Sequence, residues 1–269
     1  MIKISASANF LGFNVRARQL FILMLFIQPY NILPHSIRER ITAFLYAVFR
    51  SRVKVHFSSF IRPGDLVFDV GTNVGHLTKV FLELGARVIS IEPQPSCVEI
   101  LKKRFANNAK VTIIEKALGD KEGKLPLAIS PISPSLATLS NSWQKEGRYS
   151  KMFEAKTINV EVTTLDVLIR EYGRPVFCKI DVEGFEKEVL LGLNQEIPVI
   201  SFEFHMEFLN EAKICIERLV SLGYQSFNYS IYETYALSLK EWKDQKQIFK
   251  ELESKNGLYV FGDIYAKKD

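Results

Sequence analysis

The chain predicts a doubly wound α/β domain with a mostly parallel sheet, preceded by a helical, basic and apolar extension. Three observations carry this. From Pro63 onward, short apolar runs alternate with segments of helical periodicity, the pattern of strands joined by crossover helices. The first run, Leu66 to Val70, passes through a glycine-rich turn straight into a helical segment, and the second, Arg87 to Ile91, is followed at once by Glu92. Residues 1–60 hold eight basic residues against Glu39 alone, so the rest of this +5 chain is slightly acidic. The boundary is expected at 56/57, with residues 1–56 as the extension and 57–269 as the domain.

In the extension, Leu20 to Ile27 is an apolar run far short of the about 20 residues that span a bilayer. It and a second apolar stretch, Ile41 to Phe49, read as helices packing on the domain or a partner, as a basic surface giving peripheral membrane contact over 10–54, or as an uncleaved anchor. Cys97, Cys178 and Cys215 show no paired or metal-ligand spacing, which fits a reducing compartment. The expectation is a cytoplasmic protein, with membrane association left open. Basic residues confined to one end argue against a nucleic-acid groove, so no nucleic-acid partner is expected.

Within the domain, Pro63-Gly-Asp65 launches the first strand, Leu66–Val70. Thr78–Leu84 has helical spacing and Gly85 ends it. Arg87–Ile91 is the second strand, a helix runs from Pro95 to about Asn107, and Val111–Glu115 is the third strand. Residues 130–156 interrupt the rhythm with a long polar excursion. Val160–Val162 reads as an extra strand, and Thr164 as the cap of a helix containing Leu165, Leu168 and Ile169. Val176–Ile180 and Val199–Glu203 are the fourth and fifth strands, with a helix at Glu186–Leu193 between them. A helix at Ala212–Leu222 stops at Gly223, and strands at Tyr224–Tyr229 and Leu258–Ala266 finish the chain.

Chemistry concentrates at the first turn, Asp69-Val-Gly71-Thr-Asn73-Val-Gly75. Glycines there let the backbone turn tightly beside a ligand, and Glu92 at the end of the next strand is placed to accept from both ribose hydroxyls. Thr72 and Asn73 stand where a dinucleotide fingerprint needs its second glycine, and Asp69 is available to an ammonium group. S-adenosylmethionine, with an ammonium, a ribose and no phosphate, fits better than a dinucleotide; the plain alternative is a packing turn and a surface Glu92.

With these residues the sequence resembles the FkbM-type S-adenosylmethionine-dependent methyltransferases over about residues 57–205. The motifs are Arg62-Pro-Gly-Asp65, the turn ending at Gly75, Ile91-Glu-Pro93, Ala117-Leu-Gly-Asp120, Thr164-Leu-Asp166 and Lys179-Ile-Asp-Val-Glu-Gly-Phe-Glu186. Thr72 departs from the family's usual alanine, a change a turn should tolerate. The resemblance implies the seven-stranded, Rossmann-like class I methyltransferase sheet with its last strand antiparallel. It implies that Asp69, Gly71, Asn73 and Gly75 line the methionine moiety, that Glu92 holds the ribose, and that the backbone at Ala117 and Leu118 edges the adenine. The acceptor it points to is a hydroxyl of a sugar, polyketide or other small metabolite, free or in a glycan.

Asp181 falls at the carboxyl end of the fourth strand, where open α/β sheets keep their chemistry. If that strand continues, Glu183 shares its face. One of the two carboxylates then orients or deprotonates the acceptor; alternatively, Glu183 and Glu186 only favour the next helix's N-terminus. His205, closing the fifth strand, is either a proton acceptor or a satisfied structural histidine. Asp181, Glu203 and His205 have ligand chemistry, but they come from separate strand ends and no metal is expected. Two other classes stay open: a non-catalytic scaffold on this fold and a nucleotide-dependent oxidoreductase. Residues 130–156 and 230–257, with Trp143, Tyr149, Tyr232, Tyr235 and Trp242, are the expected specificity elements; those aromatics either stack on a sugar or pack locally.

Overall fold

A computed structural model describes residues 48–129, 137–146, 150, 157–232, 234–255 and 260–268. The chain divides into Met1–Arg52 and Val53–Asp269. Of the first unit only the helical residues 48–52 are described, so the reading of 10–54 as a membrane-facing surface falls almost wholly outside the described residues. Among the described residues, no helix is long and apolar enough to cross a membrane. The second unit starts ahead of the expected 56/57 boundary because Val53 and Phe57 are core residues, the Phe57 ring lying 4.9 Å from Phe81 and 5.6 Å from Phe177.

The elements in order are β1 (Leu66–Val70), α1 (His76–Glu83), β2 (Arg87–Ile91), α2 (Pro95–Arg104), β3 (Val111–Ile114), β4 (Ala117–Leu118), β5 (Gly123–Ala128), α3 (Asn141–Glu146), β6 (Thr157–Thr163) and α4 (Leu165–Tyr172). Then come β7 (Phe177–Ile180), α5 (Glu186–Leu191), β8 (Val199–His205), a 3₁₀ turn (Met206–Phe208), α6 (Leu209–Ser221), β9 (Ser226–Ile231), α7 (Gln245–Glu253) and β10 (Phe261–Lys267). Seven strands form one sheet in the order β3-β2-β1-β7-β8-β10-β9. The pairs from β3 to β8 are parallel, and β10 runs antiparallel to both β8 and β9. This is the sheet that the resemblance implies.

The central strands are continuous apolar runs because helices cover both faces. All four residues of β7 are buried, as are the last four of β1 and β2. Thr164 caps α4 as expected, its side chain accepting from the Val167 N–H. Asp166, the acid of the Thr164-Leu-Asp166 motif, accepts from the backbone and side chain of Asn194 and from the Gln195 N–H, so it fastens the loop before β8.

Three features depart from the sequence reading. The extra strand is longer than Val160–Val162, and it joins β4 and β5 in a separate three-stranded sheet ordered β4-β6-β5. The described part of the 130–156 excursion contains α3, which buries Trp143 to 1% exposure. Within 230–257, expected only as a specificity element, stands α7, opened by an Asp244/Gln247 capping box and seated by buried Ile248 and Leu252.

Candidate active site

β1 lies between β2 and β7, where the chain, having built outward through β2 and β3, returns to build the other way. Such a switch point opens a crevice at the carboxyl ends of the strands. The turn after β1 rises into it with Gly71, Asn73 and Gly75 all at positive φ, at 74°, 51° and 81°. Gly71 is needed for contact as well as conformation: a Cβ there would stand 1.7 Å from the Asp181 carbonyl oxygen. The turn and the end of β7 therefore meet backbone to backbone.

Every N–H of this turn is already used. Gly71 and Thr72 donate to the Ile91 carbonyl and Gly75 to the Thr72 carbonyl. Asn73 donates to Glu92 Oε2 at 2.8 Å, and Val74 to the Asn73 side chain. Within residues 71–75 no amide is left free for a phosphate, which supports a cofactor without one.

Asp69 lies beneath the turn at 2% exposure. Its Oδ2 accepts from the hydroxyls of Thr72 and Thr78, and Thr78 also contacts Ser90 at 2.8 Å. Thr72 is thus more than a tolerated departure, because its hydroxyl ties the turn to the Asp69 carboxylate. The geometry makes Asp69 the buttress of the turn. Burial raises its pKa, against the two hydroxyls and Lys179.

Glu92 sits at the end of β2 with 6% exposure. One oxygen accepts from Asn73 N–H and the other from Gln94 N–H, so each keeps a lone pair for a ribose hydroxyl. Burial pushes this carboxyl up to about 7, opposed by the Gln94 and Asn73 amides. A buried acid held near neutrality with spare acceptor capacity fits a ribose diol. Ala117 and Leu118 are buried in β4, with Leu118 in the main core.

The sequence reading places Asp181 and Glu183 on one strand face if β7 continues; it stops at Ile180. Glu183 adopts φ 54° followed by Gly184 at 90°, and this left-handed turn, not strand alternation, carries its carboxylate into the site. Ligand atoms of Glu183, Glu203 and His205 all lie within 4.8 Å of one another. His205 Nε2 is 3.0 Å from Glu203 Oε2, the two residues sharing one face of β8. The His205 ring packs against Trp143 at 4.4 Å and stacks on Phe261 at 5.8 Å. Burial, then crowding by other carboxylates, raises both Glu183 and Glu203 well above the usual range. Glu186 accepts from the Val182 and Gly184 amides, the structural role considered for it.

The sequence reading missed Lys179 and Asp263. Lys179 is buried on β7, with Nζ 3.1 Å from Asp181 and 2.9 Å from Asp263 of β10. Its ammonium is held charged by Asp181 and Asp263 despite burial. The signal was available: a lysine inside Val-Phe-Cys-Lys-Ile must find an anion, since a buried charge survives only when paired.

A mostly parallel sheet with an antiparallel β10 and a glycine-rich turn at its switch point is the architecture of a class I methyltransferase. The family model of the methyltransferase FkbM domain matches residues 69–238, and the chain belongs to that family. Its cofactor is S-adenosylmethionine. Methyltransferase sdnD of Sordaria araneosa is 28% identical over 158 residues, 48% of this chain and 61% of that protein. Hexuronic acid methyltransferase AglP of Haloferax volcanii is 26% identical over 166 residues, covering 57% and 64%. A chloroplastic ribosomal RNA small subunit methyltransferase of Arabidopsis thaliana is 36% identical over only 56 residues, 21% of this chain and 16% of that one. The matched regions span less than two thirds of these relatives' own lengths. Family membership favours a methyltransferase domain over the oxidoreductase alternative.

Proposed function

We propose that this methyltransferase O-methylates a hydroxyl of a sugar, polyketide or other small metabolite, with Asp181, Glu183 and His205 as its catalytic groups. The observation that carries the reading is the 3.0 Å pair of His205 with Glu203 at the carboxyl end of β8. A histidine oriented by a carboxylate beside a cleft is equipped to accept a hydroxyl proton. Bound S-adenosylmethionine supplies a methyl group already activated on a sulfonium.

The protein's part is alignment and proton removal. S-adenosylmethionine, when bound, would give up its methyl carbon to the acceptor oxygen and keep the carbon–sulfur electron pair, while the His205 imidazole is placed to take the hydroxyl proton. Asp181, with its side chain 38% exposed and anchored by Lys179, orients the acceptor hydroxyl, and Glu183 accepts from a second polar group. Trp143 and Phe208, whose ring centroids are 5.5 Å apart, shield the site from water. Asp69 shapes the turn, Gly71, Asn73 and Gly75 border the methionine moiety, Glu92 holds the ribose, and Ala117 and Leu118 edge the adenine. No metal and no nucleic acid enter this scheme. The sugar and metabolite reading draws on the longer matches, whereas the ribosomal RNA relative matches over only 56 residues.

The test is transfer of labelled methyl from S-adenosylmethionine to fractionated metabolites and glycans of the source cell. Label should appear as an alkali-stable methyl ether in a small-molecule or glycan fraction, and His205→Ala should reduce it at least a hundredfold. Label in RNA, or undiminished turnover in that variant, would refute the reading.

A further inference from the structure

Residues 137–146, between β5 and β6, bear on both sides of the site. Thr138 is 1% exposed, and its backbone pairs with Ala128 at the end of β5, each N–H donating to the other's carbonyl at 3.1 and 2.9 Å. Its hydroxyl donates to the Glu183 carbonyl at 2.6 Å and accepts from the Ser140 N–H. The Ser140 hydroxyl in turn accepts from the Trp143 N–H as α3 begins. That chain of bonds seats α3 with the Trp143 ring 4.4 Å from the His205 ring.

The turn that Thr138 meets has to be held. Glu183 sits at φ 54°, where a residue with a Cβ is strained. On the amide side of this turn Glu186 accepts from Val182 and Gly184; on the carbonyl side Thr138 donates. Gly184 lies close against the segment, since a Cβ there would stand 3.2 Å from the Trp143 Cβ and 3.4 Å from Ser140. The ladder between β7 and β8 ends at Ile180–Phe202, short of both Glu183 and His205. Strand pairing therefore does not fix one against the other, and residues 137–146 bridge that gap.

We propose that Thr138 is a positioning residue for methyl transfer: its hydroxyl holds the left-handed turn at Glu183 and, through Ser140 and Trp143, sets that carboxylate against the His205 imidazole. This rests on the reading above that Glu183 and His205 serve the acceptor. A misplacement of about 1 Å can cost about a hundredfold in rate, so one hydrogen bond here matters more to turnover than to folding. The effect falls on the acceptor side alone. On the cofactor side, Glu92 is held by the Asn73 and Gln94 amides, bonds that do not pass through Thr138.

The experiment compares Thr138→Val, which keeps the shape and loses the hydroxyl, with Thr138→Ser, which keeps the hydroxyl. Labelled-methyl transfer by the full chain is measured with the pooled metabolite and glycan fraction of the source cell as acceptor, alongside S-adenosylhomocysteine affinity and melting temperature. Thr138→Val should lower the maximal rate by about tenfold or more and change the half-saturating amount of that fraction by less than about twofold. Thr138→Ser should recover the rate to within about twofold, and Lys145→Ala, at an exposed position of α3, should leave it unchanged. Ser140→Ala loosens α3 but spares the bond to Glu183; it should show a smaller loss of rate, and it carries the test if Thr138→Val does not fold. S-adenosylhomocysteine affinity should stay at the wild-type value in every folded variant. Equal rates in the valine and serine variants, or a loss confined to half-saturation or melting temperature, would overturn the proposal. Glu183→Gln and His205→Ala separate it from the reading it rests on. Lost turnover in both beside full turnover in Thr138→Val sinks the positioning role alone, whereas full turnover in both sinks that reading and the positioning role with it.

Discussion

Glu92 sets binding against folding at a single side chain. Burial holds its carboxyl at about 7 rather than the ordinary 4.5, so the folded protein retains this proton where the unfolded chain has lost it. That contribution to stability is full below about 4.5 and is lost as pH rises through about 7. Ribose hydroxyls donate, so they favour the ionised form. Affinity for S-adenosylmethionine should therefore rise from pH 6 to pH 8 and level off, being about tenfold weaker one unit below the pKa. Glu92→Gln should bind at least tenfold more weakly, since a hydrogen bond to a charged group contributes about 1.5–3 kcal/mol, and its affinity should not vary over this range. Calorimetric titration across the series checks both; an unsloped wild-type profile would take the ribose contact away from Glu92. Gly71 is the other decisive residue. In Gly71→Ala the new Cβ would collide with the Asp181 carbonyl, whereas at Gly123 a Cβ meets nothing within 4 Å. Strain at positive φ adds about 1 kcal/mol or more. Urea denaturation should show Gly71→Ala destabilised by about 3 kcal/mol or more, with Gly123→Ala changed by only about 0.5 kcal/mol.

Between elements, the Lys179 ion pairs join β7 to β10 across β8. Removing one partner of a buried pair leaves an uncompensated charge and costs about 3–5 kcal/mol. Lys179→Met should lower unfolding free energy by that order, and adding Asp263→Asn should restore part of it, because Asp263 is buried and Asp181 is not. A double variant no more stable than the single one would show that Asp263 does not depend on the lysine. The elements also explain how far the sequence could be read. The strands β1, β2, β7 and β8 were legible because burial on both faces demands continuous apolar runs, and Glu92 and Asp181 were legible as the residues ending such runs. β5 was not: its sequence Gly-Lys-Leu-Pro-Leu-Ala buries only its last two residues, and Pro126 argues against an interior strand. α7 was overlooked although Asp244 and Gln247 spell a capping box, because its apolar contribution to the core is chiefly Ile248 and Leu252. Glu183 was placed on a strand face because nothing before Gly184 announces a left-handed turn.

At the scale of the molecule, the sheet order decides which ligand the domain accepts. Two halves growing in opposite directions from β1 leave one crevice at the switch point, and the turn that fills it has all its amides bonded within the protein. A pyrophosphate would have to break those bonds to enter, whereas a ribose needs only the spare lone pairs of Glu92. Binding restricted to the folded state raises stability by about 2.7 kcal/mol at a hundredfold excess over Kd. For a domain of this size each kcal/mol moves the melting temperature by about 2–4 °C. S-adenosylmethionine at that excess should therefore raise the melting temperature by about 5–10 °C, and NAD at the same concentration should leave it unchanged. Differential scanning of the full chain with each ligand is decisive. A shift with NAD would mean that the turn opens to admit phosphate, contrary to its bonded amides, and no shift with S-adenosylmethionine would mean that Glu92 and the turn do not form one pocket.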